Sequence, residues 1–264
     1  MSSNLIKYPR TQHVRGSRFQ HGDDDMESVP WSDLRGKRLV LEEKMDGSNV
    51  GISFDDDGKL QLQSRGHYLR GGPRELQYAL LKQWVSSIQD ELYCTITDRY
   101  IVYGEWMYAK HTVFYDALPH YFMEFDVYDK HEDVYLSTER RIELLKDCKI
   151  TPVLVTASRH FQNLSELSSL ITHSNFITDD RDANLTDAAL NAGVLPIEAV
   201  RHTDMHPEME GLYIKWEEDG VVKGRYKYVR DTFTSSIMDQ ETHWHDRPII
   251  QNKLSSGALE RMFS

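Results

Sequence analysis

Leu39-Val40-Leu41-Glu42-Glu43-Lys44-Met45-Asp46-Gly47-Ser48-Asn49-Val50 begins as an apolar strand and breaks at a charged turn. A second strand-like run, Val50-Gly51-Ile52-Ser53-Phe54, leads out of it. Lys44 is therefore expected where a buried strand ends, with an acid, a glycine and two small polar residues turning the chain back beneath it. That is a favourable place for a nucleophilic lysine. K-x-D-G turns are common in charged hairpins, however, so the case rests on the residues downstream.

Outward from this turn, Leu39 to Glu43, Val50 to Phe54 and Lys59 to Ser64 read as strands, the last two joined by Asp55-Asp56-Asp57-Gly58. Leu60 and Leu62 alternate with Gln61 and Gln63, the period of a half-exposed strand. Pro73 opens a helix that sets Leu76, Leu80, Trp84 and Ile88 on one face. Tyr100 to Trp106 and Tyr121 to Tyr128 read as buried strands. Thr138 to Cys148 reads as a helix, Pro152 to Thr156 as a strand, and Leu164 to Thr172 as an amphipathic helix capped at Asn163. Asp179 to Asn191 reads as a polar loop with a short helix. A hairpin closes the series: Gly211 to Trp216, the turn Glu217-Glu218-Asp219-Gly220, then Val221 to Val229. Hairpins with interspersed helices predict an α+β fold rather than a doubly wound sheet.

The 264 residues suffice for one large domain, or a domain with a small appendage. A net charge of -11 argues against a globally basic coat for nucleic acid. The charges are segregated, though. Acidic runs lie at Asp23-Asp24-Asp25, Asp55-Asp56-Asp57 and Asp179-Asp180. Basic groups lie at Arg65, Arg70 and Arg74, at Lys215, Lys223, Arg225, Lys227 and Arg230, and at Lys7, Arg10, Arg15 and Arg18. The N-terminal group reads equally well as a solvated face or as a phosphate-handling element. The two cysteines, Cys94 and Cys148, lack metal-site spacing, and no secretory signal precedes them. Reduced thiols in a cytoplasmic protein are expected. No apolar run approaches the roughly 20 residues needed to span a bilayer.

Five further elements come after Lys44 in order: Ser64-Arg65-Gly66, Tyr103-Gly104-Glu105-Trp106, Phe122-Met123-Glu124-Phe125-Asp126, Glu210-Gly211-Leu212-Tyr213-Ile214-Lys215 and Arg225-Tyr226-Lys227. With them the chain resembles the covalent nucleotidyltransferases, which include ATP-dependent RNA and DNA ligases and RNA capping enzymes, at their motifs I, Ia, III, IIIa, IV and V. It is most similar to RNA ligases typified by the second RNA ligase of phage T4, and within them to a bacterial branch. The branch resemblance adds Lys7-Tyr8-Pro9-Arg10-Thr11, Gly16-Ser17-Arg18 and Trp244-His245-Asp246-Arg247-Pro248-Ile249, and so spans nearly the whole chain. Asn49 stands where DNA ligases and capping enzymes usually carry arginine. Arg225 stands where this type commonly carries lysine. An OB-fold domain such as those other enzymes carry is not expected within these residues.

The resemblance implies a nucleotidyltransferase core of antiparallel sheets with flanking helices over residues 1–232, and a short extension over 233–264. It implies an ATP-dependent RNA ligase that joins 5′-phosphate to 3′-hydroxyl ends through a lysyl-AMP and an adenylylated RNA end, in RNA repair. Lys44 would be the nucleophile, with Arg225 and Lys227 facing the α-phosphate. Glu43, Lys44, Asp46, Asn49, Arg65, Glu105, Phe125, Glu210, Lys215 and Lys227 would bind ATP, Phe125 by stacking on adenine and Glu105 by holding the ribose. Asn49, Arg65 and Arg70 would contact RNA; Glu210 and Asp126 would hold magnesium or manganese. Asp46 and Asp126 each keep an alternative structural role, Asp46 as a cap of the lysine turn.

A free lysine has a pKa of about 10.4, so cationic neighbours and a divalent metal are expected to lower that of Lys44. The expected partner is RNA with matched ends, such as an end-healing kinase or phosphatase would supply; the protein is expected to be monomeric. His67 and His111 are further candidates for RNA contact. His243, His245 and Asp246 lack a third partner at metal-ligand spacing and read as a packed C-terminal element. The rivals are a DNA ligase, a capping-type guanylyltransferase and a non-catalytic RNA-binding relative. A protein kinase is excluded, since neither a Gly-rich loop nor an H-R-D segment occurs.

Overall fold

The charged turn at Lys44 does not fold back as a hairpin; it carries the chain from one sheet to another. The computed structural model describes residues 5–19, 27–233 and 248–264. Within them the chain runs β1 (Gln12–Val14), β2 (Ser28–Val29), β3 (Arg38–Glu43), β4 (Ser48–Phe54), β5 (Leu60–Ser64), α1 (Ala79–Ile96), β6 (Tyr100–Trp106), β7 (Phe122–Asp129), β8 (Val134–Tyr135) and α2 (Thr138–Leu145). It continues through β9 (Thr151–Pro152), β10 (Val155–His160), α3 (Leu164–Ser168), α4 (Arg181–Asn191), α5 (Pro196–Arg201), β11 (Gly211–Glu218), β12 (Val221–Val229) and α6 (Ala258–Phe263).

The strands form two sheets, one ordered β10-β3-β11-β12-β1-β2 and the other β5-β4-β6-β7-β8 with β9 added along β7. Most ladders are antiparallel; β1 runs parallel to β12 and to β2, and β9 parallel to β7. The mixed class is the expected α+β. The chain crosses between the sheets at Lys44–Gly47 and again at Val153–Leu154. This second crossing splits the strand expected over Pro152 to Thr156. Thr151–Pro152 joins the sheet of β7, whereas Val155–His160 joins that of β3. Residues 5–11 make a third link. Ile6 accepts hydrogen bonds from Gln63 and Tyr103 of the second sheet, both at 2.8 Å, before β1 enters the first. Gln63, expected on a solvated face, is buried by that contact.

Local chemistry explains the helices. Residues 73–78 form a 3-10 turn, and the α-helix starts only at Ala79. Three residues per turn there, against 3.6 beyond, break the phase of the apolar stripe. Leu76 is consequently 68% exposed, and the buried face of α1 is Leu81, Trp84, Val85, Ile88, Leu92 and Ile96. Asn163 caps α3 as expected, accepting from the Glu166 amide at 2.9 Å, while the Glu166 carboxylate accepts from the Gln162 amide. Residues 181–191 form a full helix rather than a loop. Ala183, Leu185, Ala188 and Ala189 are strong helix formers, and Leu185 and Ala189 are wholly buried.

The main core packs α1 against β4, β6 and β7, with Ile52, Trp84, Trp106 and Phe122 at its centre. A second cluster, including Leu39, Leu41, Phe161, Leu167, Leu212 and Ile214, lies beside the first sheet. Residues 248–264 return to these cores: Met262 belongs to the main cluster and Leu254 packs against it. The residues His243, His245 and Asp246, and most of the late Trp244–Ile249 element, lie outside the described residues.

Candidate active site

A cavity of about 380 Å³ lies where the chain crosses between the sheets. The lysine turn contributes Lys44, Met45, Asp46 and Gly47 to its wall, and the second crossing contributes Val153. The link at the N-terminal side adds Tyr8, Arg10 and Thr11.

Lys44 continues the line of β3, its amide donating to Gly211 O at 3.0 Å. Its ammonium pairs with Glu210 at 2.6 Å; the lysine side chain is 20% exposed and that of Glu210 is fully buried. Burial alone would push the Lys44 pKa down. The carboxylates of Glu210, Asp46 and Glu105 outweigh it, and the pKa stands above its ordinary value. The expectation of a lowered value is thus not met, because the groups around the ammonium are acids.

Asp46 fixes the turn. Its Oδ2 accepts the amides of Thr112 and Val113 at 2.7 and 2.8 Å, and its own amide donates to the Tyr115 hydroxyl at 3.1 Å. Gly47 allows a close approach, since a Cβ there would lie 2.7 Å from Trp106 O. The capping role considered for Asp46 is therefore present in the geometry.

Asn49 and Glu105 are direct cross-strand partners of β4 and β6, and both face the cavity. Burial raises the Glu105 carboxyl to about 8, against the lowering effect of Lys44 and Arg65. Arg65 comes just after β5, at the exposed rim. Glu43, at the end of β3, accepts from the Ser174 hydroxyl at 2.6 Å. Burial brings its carboxyl up to about 7, opposed by that hydrogen bond and assisted by Glu210. Its other oxygen, Oε2, is buried without a hydrogen-bond partner. Lys227, on β12 opposite Tyr213, adds a second lysine to the wall.

Part of the wall is aromatic. Phe125 is the extra residue of a bulge: Gly104 pairs with Glu124 and Tyr103 with Asp126, leaving Phe125 unopposed and turned to the cavity. Tyr8 and Tyr213 pack around it at ring-centroid distances of 5.3 and 5.7 Å.

Behind the ring lies a buried ionic network that joins the sheets. Lys215 of β11 sits 3.1 Å from Glu42 of β3 and 3.1 Å from Asp126 of β7, and donates to Phe125 O. Arg141 of α2 bonds Glu42 and Glu124. Burial pushes the Asp126 carboxyl up, but Lys215, Arg225 and the Tyr8 hydroxyl together hold it below its usual range.

The structure thus gathers Glu43, Lys44, Asp46, Asn49, Arg65, Glu105, Phe125 and Lys227 on one cavity, with Glu210 bonded to Lys44. Other candidates lie elsewhere. Lys215 and Asp126 stand behind the aromatic wall, where Asp126 also accepts from Tyr8 and Tyr213 at 2.6 and 3.2 Å. Arg225 stacks on Tyr135, 3.7 Å from the ring centroid, and does not line the cavity, although Lys227 two residues on does. Arg70 is exposed beside Tyr68. His67 is exposed and bonds Ser64 at 3.0 Å; His111 contacts Ser48 at 3.3 Å. Among the described residues no group of three or more His, Cys, Asp or Glu is arranged to hold a metal, and no helix is long and apolar enough to cross a membrane. Sequence reasoning missed Tyr8, Glu42, Tyr213, Arg141 and Val153. Glu42 and Tyr213 lie within or beside the motifs, and a charged residue flanked by Val40-Leu41 in a buried strand signals a hidden partner.

A family model described as RNA ligase matches residues 37–229. No curated protein matches the sequence. Among solved structures, a single-residue variant of a Naegleria gruberi RNA ligase with AMP and manganese is similar at TM-score 0.51 and 16% identity, over 86% of this chain and 56% of that one. Another variant, with ATP and manganese, gives 0.50 at 16% identity over the same shares, 86% and 56%. An archaeal ATP-dependent RNA ligase gives 0.49 at 15% identity, over 85% and 48%. The chain spans little more than half the length of the Naegleria structures.

Proposed function

Because the chain belongs to the RNA ligase family, we propose that it uses ATP to join a 5′-phosphate to a 3′-hydroxyl of RNA through a lysyl-AMP on Lys44. The observation that carries this reading is one cavity whose wall holds both a lysine at the end of a buried strand, paired with a carboxylate, and an aromatic ring. A 5′-phosphate has no good leaving group, so covalent activation splits a hard displacement into easier ones. Lys44 first releases its ammonium proton to water; its Nζ then attacks the α-phosphorus of ATP, forming a P–N bond and losing a second proton as the P–O bond to pyrophosphate breaks. An oxygen of the RNA 5′-phosphate then displaces the lysine, giving a pyrophosphate-linked adenylylated end. The 3′-hydroxyl attacks the 5′-phosphorus, loses its proton and expels AMP.

Phe125, with Tyr8 and Tyr213 beside it, offers a face for adenine, and base–aromatic stacking is worth about 1–3 kcal/mol. Lys215 supports that face from behind through Phe125 O. Glu105 and Asn49 lie side by side on the cavity wall, where ribose hydroxyls would meet them. Lys227 and Arg65 supply positive charge for phosphates, Arg65 at the rim where an RNA 5′-phosphate enters. Arg225 holds the aromatic wall by stacking. Arg70, exposed beside Tyr68, is suited to an RNA backbone.

The residues present suit a divalent cation. Magnesium is commonly held by one or two carboxylates together with substrate phosphates and water. Glu43, with its unpartnered buried oxygen, and Glu210 are such a pair. When bound there, the cation would compete with Lys44 for Glu210 and stabilise charge on the phosphorus oxygens. The Naegleria ligase structures contain manganese with AMP or ATP, which supports the same requirement here.

The finer placement rests on the motifs: the T4-type bacterial branch, residues 1–232 as the nucleotidyltransferase unit, cytoplasmic RNA repair as a monomer, and ends prepared by a kinase or phosphatase. The test is incubation with labelled ATP and magnesium or manganese, then mass mapping. One AMP on Lys44 is expected. Labelling elsewhere, or by GTP alone, would sink the assignment.

A further inference from the structure

We infer that the C-terminal segment around Asn252 braces the lysine turn, and that Asn252 is a positioning residue for self-adenylylation. This rests on the ligase reading of the site. Residues 107–118, between β6 and β7, form neither helix nor extended strand and must find hydrogen-bond partners elsewhere. The C-terminal segment supplies them. Asn252 is 1% exposed. Its Oδ1 accepts the Tyr115 amide at 3.0 Å, and its Nδ2 donates to Met107 O at 2.7 Å. Its own amide donates to Tyr108 O at 3.0 Å, and its carbonyl accepts from the Tyr121 hydroxyl at 2.8 Å. On either side, Lys110 N donates to Ile250 O, Lys253 N to Tyr115 O, and Ser255 N to Leu118 O, at 2.8 to 2.9 Å.

The braced segment in turn holds Asp46. Thr112 and Val113 donate to its carboxylate, and the Tyr115 hydroxyl receives its amide. Met107 also stands against Gly47, where a Cβ would lie 2.9 Å from its sulfur. Hydrogen bonds therefore run from Asn252 through Tyr115 to Asp46, and packing runs through Met107 to Gly47, and so to the position of Lys44. A nucleophile must reach phosphorus in line, and small misplacement is costly. Sealing of an RNA that is already adenylylated does not use Lys44 as nucleophile. The brace should accordingly matter for one step and not the other.

Asn252→Leu keeps the bulk and removes both hydrogen bonds. Tyr115→Phe removes only the hydroxyl that receives the Asp46 amide. Both are compared with the unmodified chain in self-labelling at saturating ATP and in joining of a pre-adenylylated RNA without ATP, with rates corrected for the folded fraction. Self-labelling of Asn252→Leu should slow about tenfold or more, and that of Tyr115→Phe a few-fold, as expected for a misplaced nucleophile. Joining of the pre-adenylylated RNA should stay within about twofold of the unmodified rate. Equal loss in both steps, or unchanged labelling in Tyr115→Phe, overturns the brace. If Asn252→Leu does not fold, Tyr115→Phe alone decides. Should the unmodified chain fail to label, the ligase reading falls instead.

Discussion

Lys44 and Lys215 are both largely withdrawn from water and both face carboxylates, yet their surroundings give them opposite uses. Lys44 has one close carboxylate, Glu210, and opens on a cavity. Lys215 is fully buried between Glu42 and Asp126, with Phe125 O as a third partner. A cation with one partner and an open side can exchange that partner for a ligand. A cation enclosed on every side fixes the elements that supply its partners, here β3, β7 and β11. What separates a reactive lysine from a structural one is therefore the open side, more than the degree of burial.

The sharpest break of this comparison is loss of each lysine in turn. Lys44→Ala should abolish joining with ATP while joining of a pre-adenylylated RNA persists, measured by gel separation of ligated product. A Lys44→Ala chain that seals ordinary 5′-phosphate RNA would remove the covalent mechanism. Lys215→Met should instead unfold the protein more easily, by about 3–5 kcal/mol in urea titration, because Glu42 and Asp126 lose a buried partner. Adding Asp126→Asn should return part of that loss. Equal stability of Lys215→Met and the unmodified chain would mean that the network holds nothing together.

A second comparison is between carboxylates. Glu43 rises from an ordinary value of 4.5 to about 7 in the folded chain. The folded state therefore holds its proton more tightly than the unfolded state does. That contribution is complete below the unfolded pKa and disappears as pH rises through about 7, so stability should fall between about pH 5 and about pH 8. Glu105, raised to about 8, acts in the same direction. Glu43→Gln should flatten the melting-temperature profile over this range, by at most about 3 kcal/mol for the shift involved. An unchanged slope would show that Glu43 does not titrate there. The smallest effect concerns the aromatic wall. Phe125→Ala should weaken ATP use by about 1–3 kcal/mol with little change in melting temperature, and Phe125→Tyr should be tolerated. Normal ATP binding by a much less stable Phe125→Ala would make the ring a core residue.

Much of this arrangement was legible in the chain, because the residues that face the cavity come from short ordered motifs. Glu105 and Lys227 could be placed on strands by their apolar neighbours, and Lys44 and Asn49 at the turn between two strands, although β4 begins at Ser48 and takes Asn49 into the sheet. The partners of the network could not. Arg141 looks like any solvated arginine of a polar helix, and only the packing of α2 against β7 and β3 buries it with Glu124 and Glu42. Crossing points were also hidden. A turn that joins strands of one sheet and a turn that passes between sheets use the same residue types, and their difference lies in distant pairing. The phase of α1 failed for a local reason, the 3-10 turn before Ala79, and the strength of α4 was masked by its acidic flank.

The bulge at Phe125 makes the aromatic wall sensitive to length as well as to identity. Strand side chains alternate with a period of two, and one residue more or less reverses every position beyond it. Deleting Phe125 would give β7 regular pairing with β6, yet it would set Glu124 and Asp126 next to each other, where alternation sends them to opposite faces. One carboxylate would then leave the cations that now hold it. Insertions and deletions in residues 122–126 should consequently be rejected in a library that accepts many substitutions there, and the spacing of this segment should outlast its exact composition as such chains diverge.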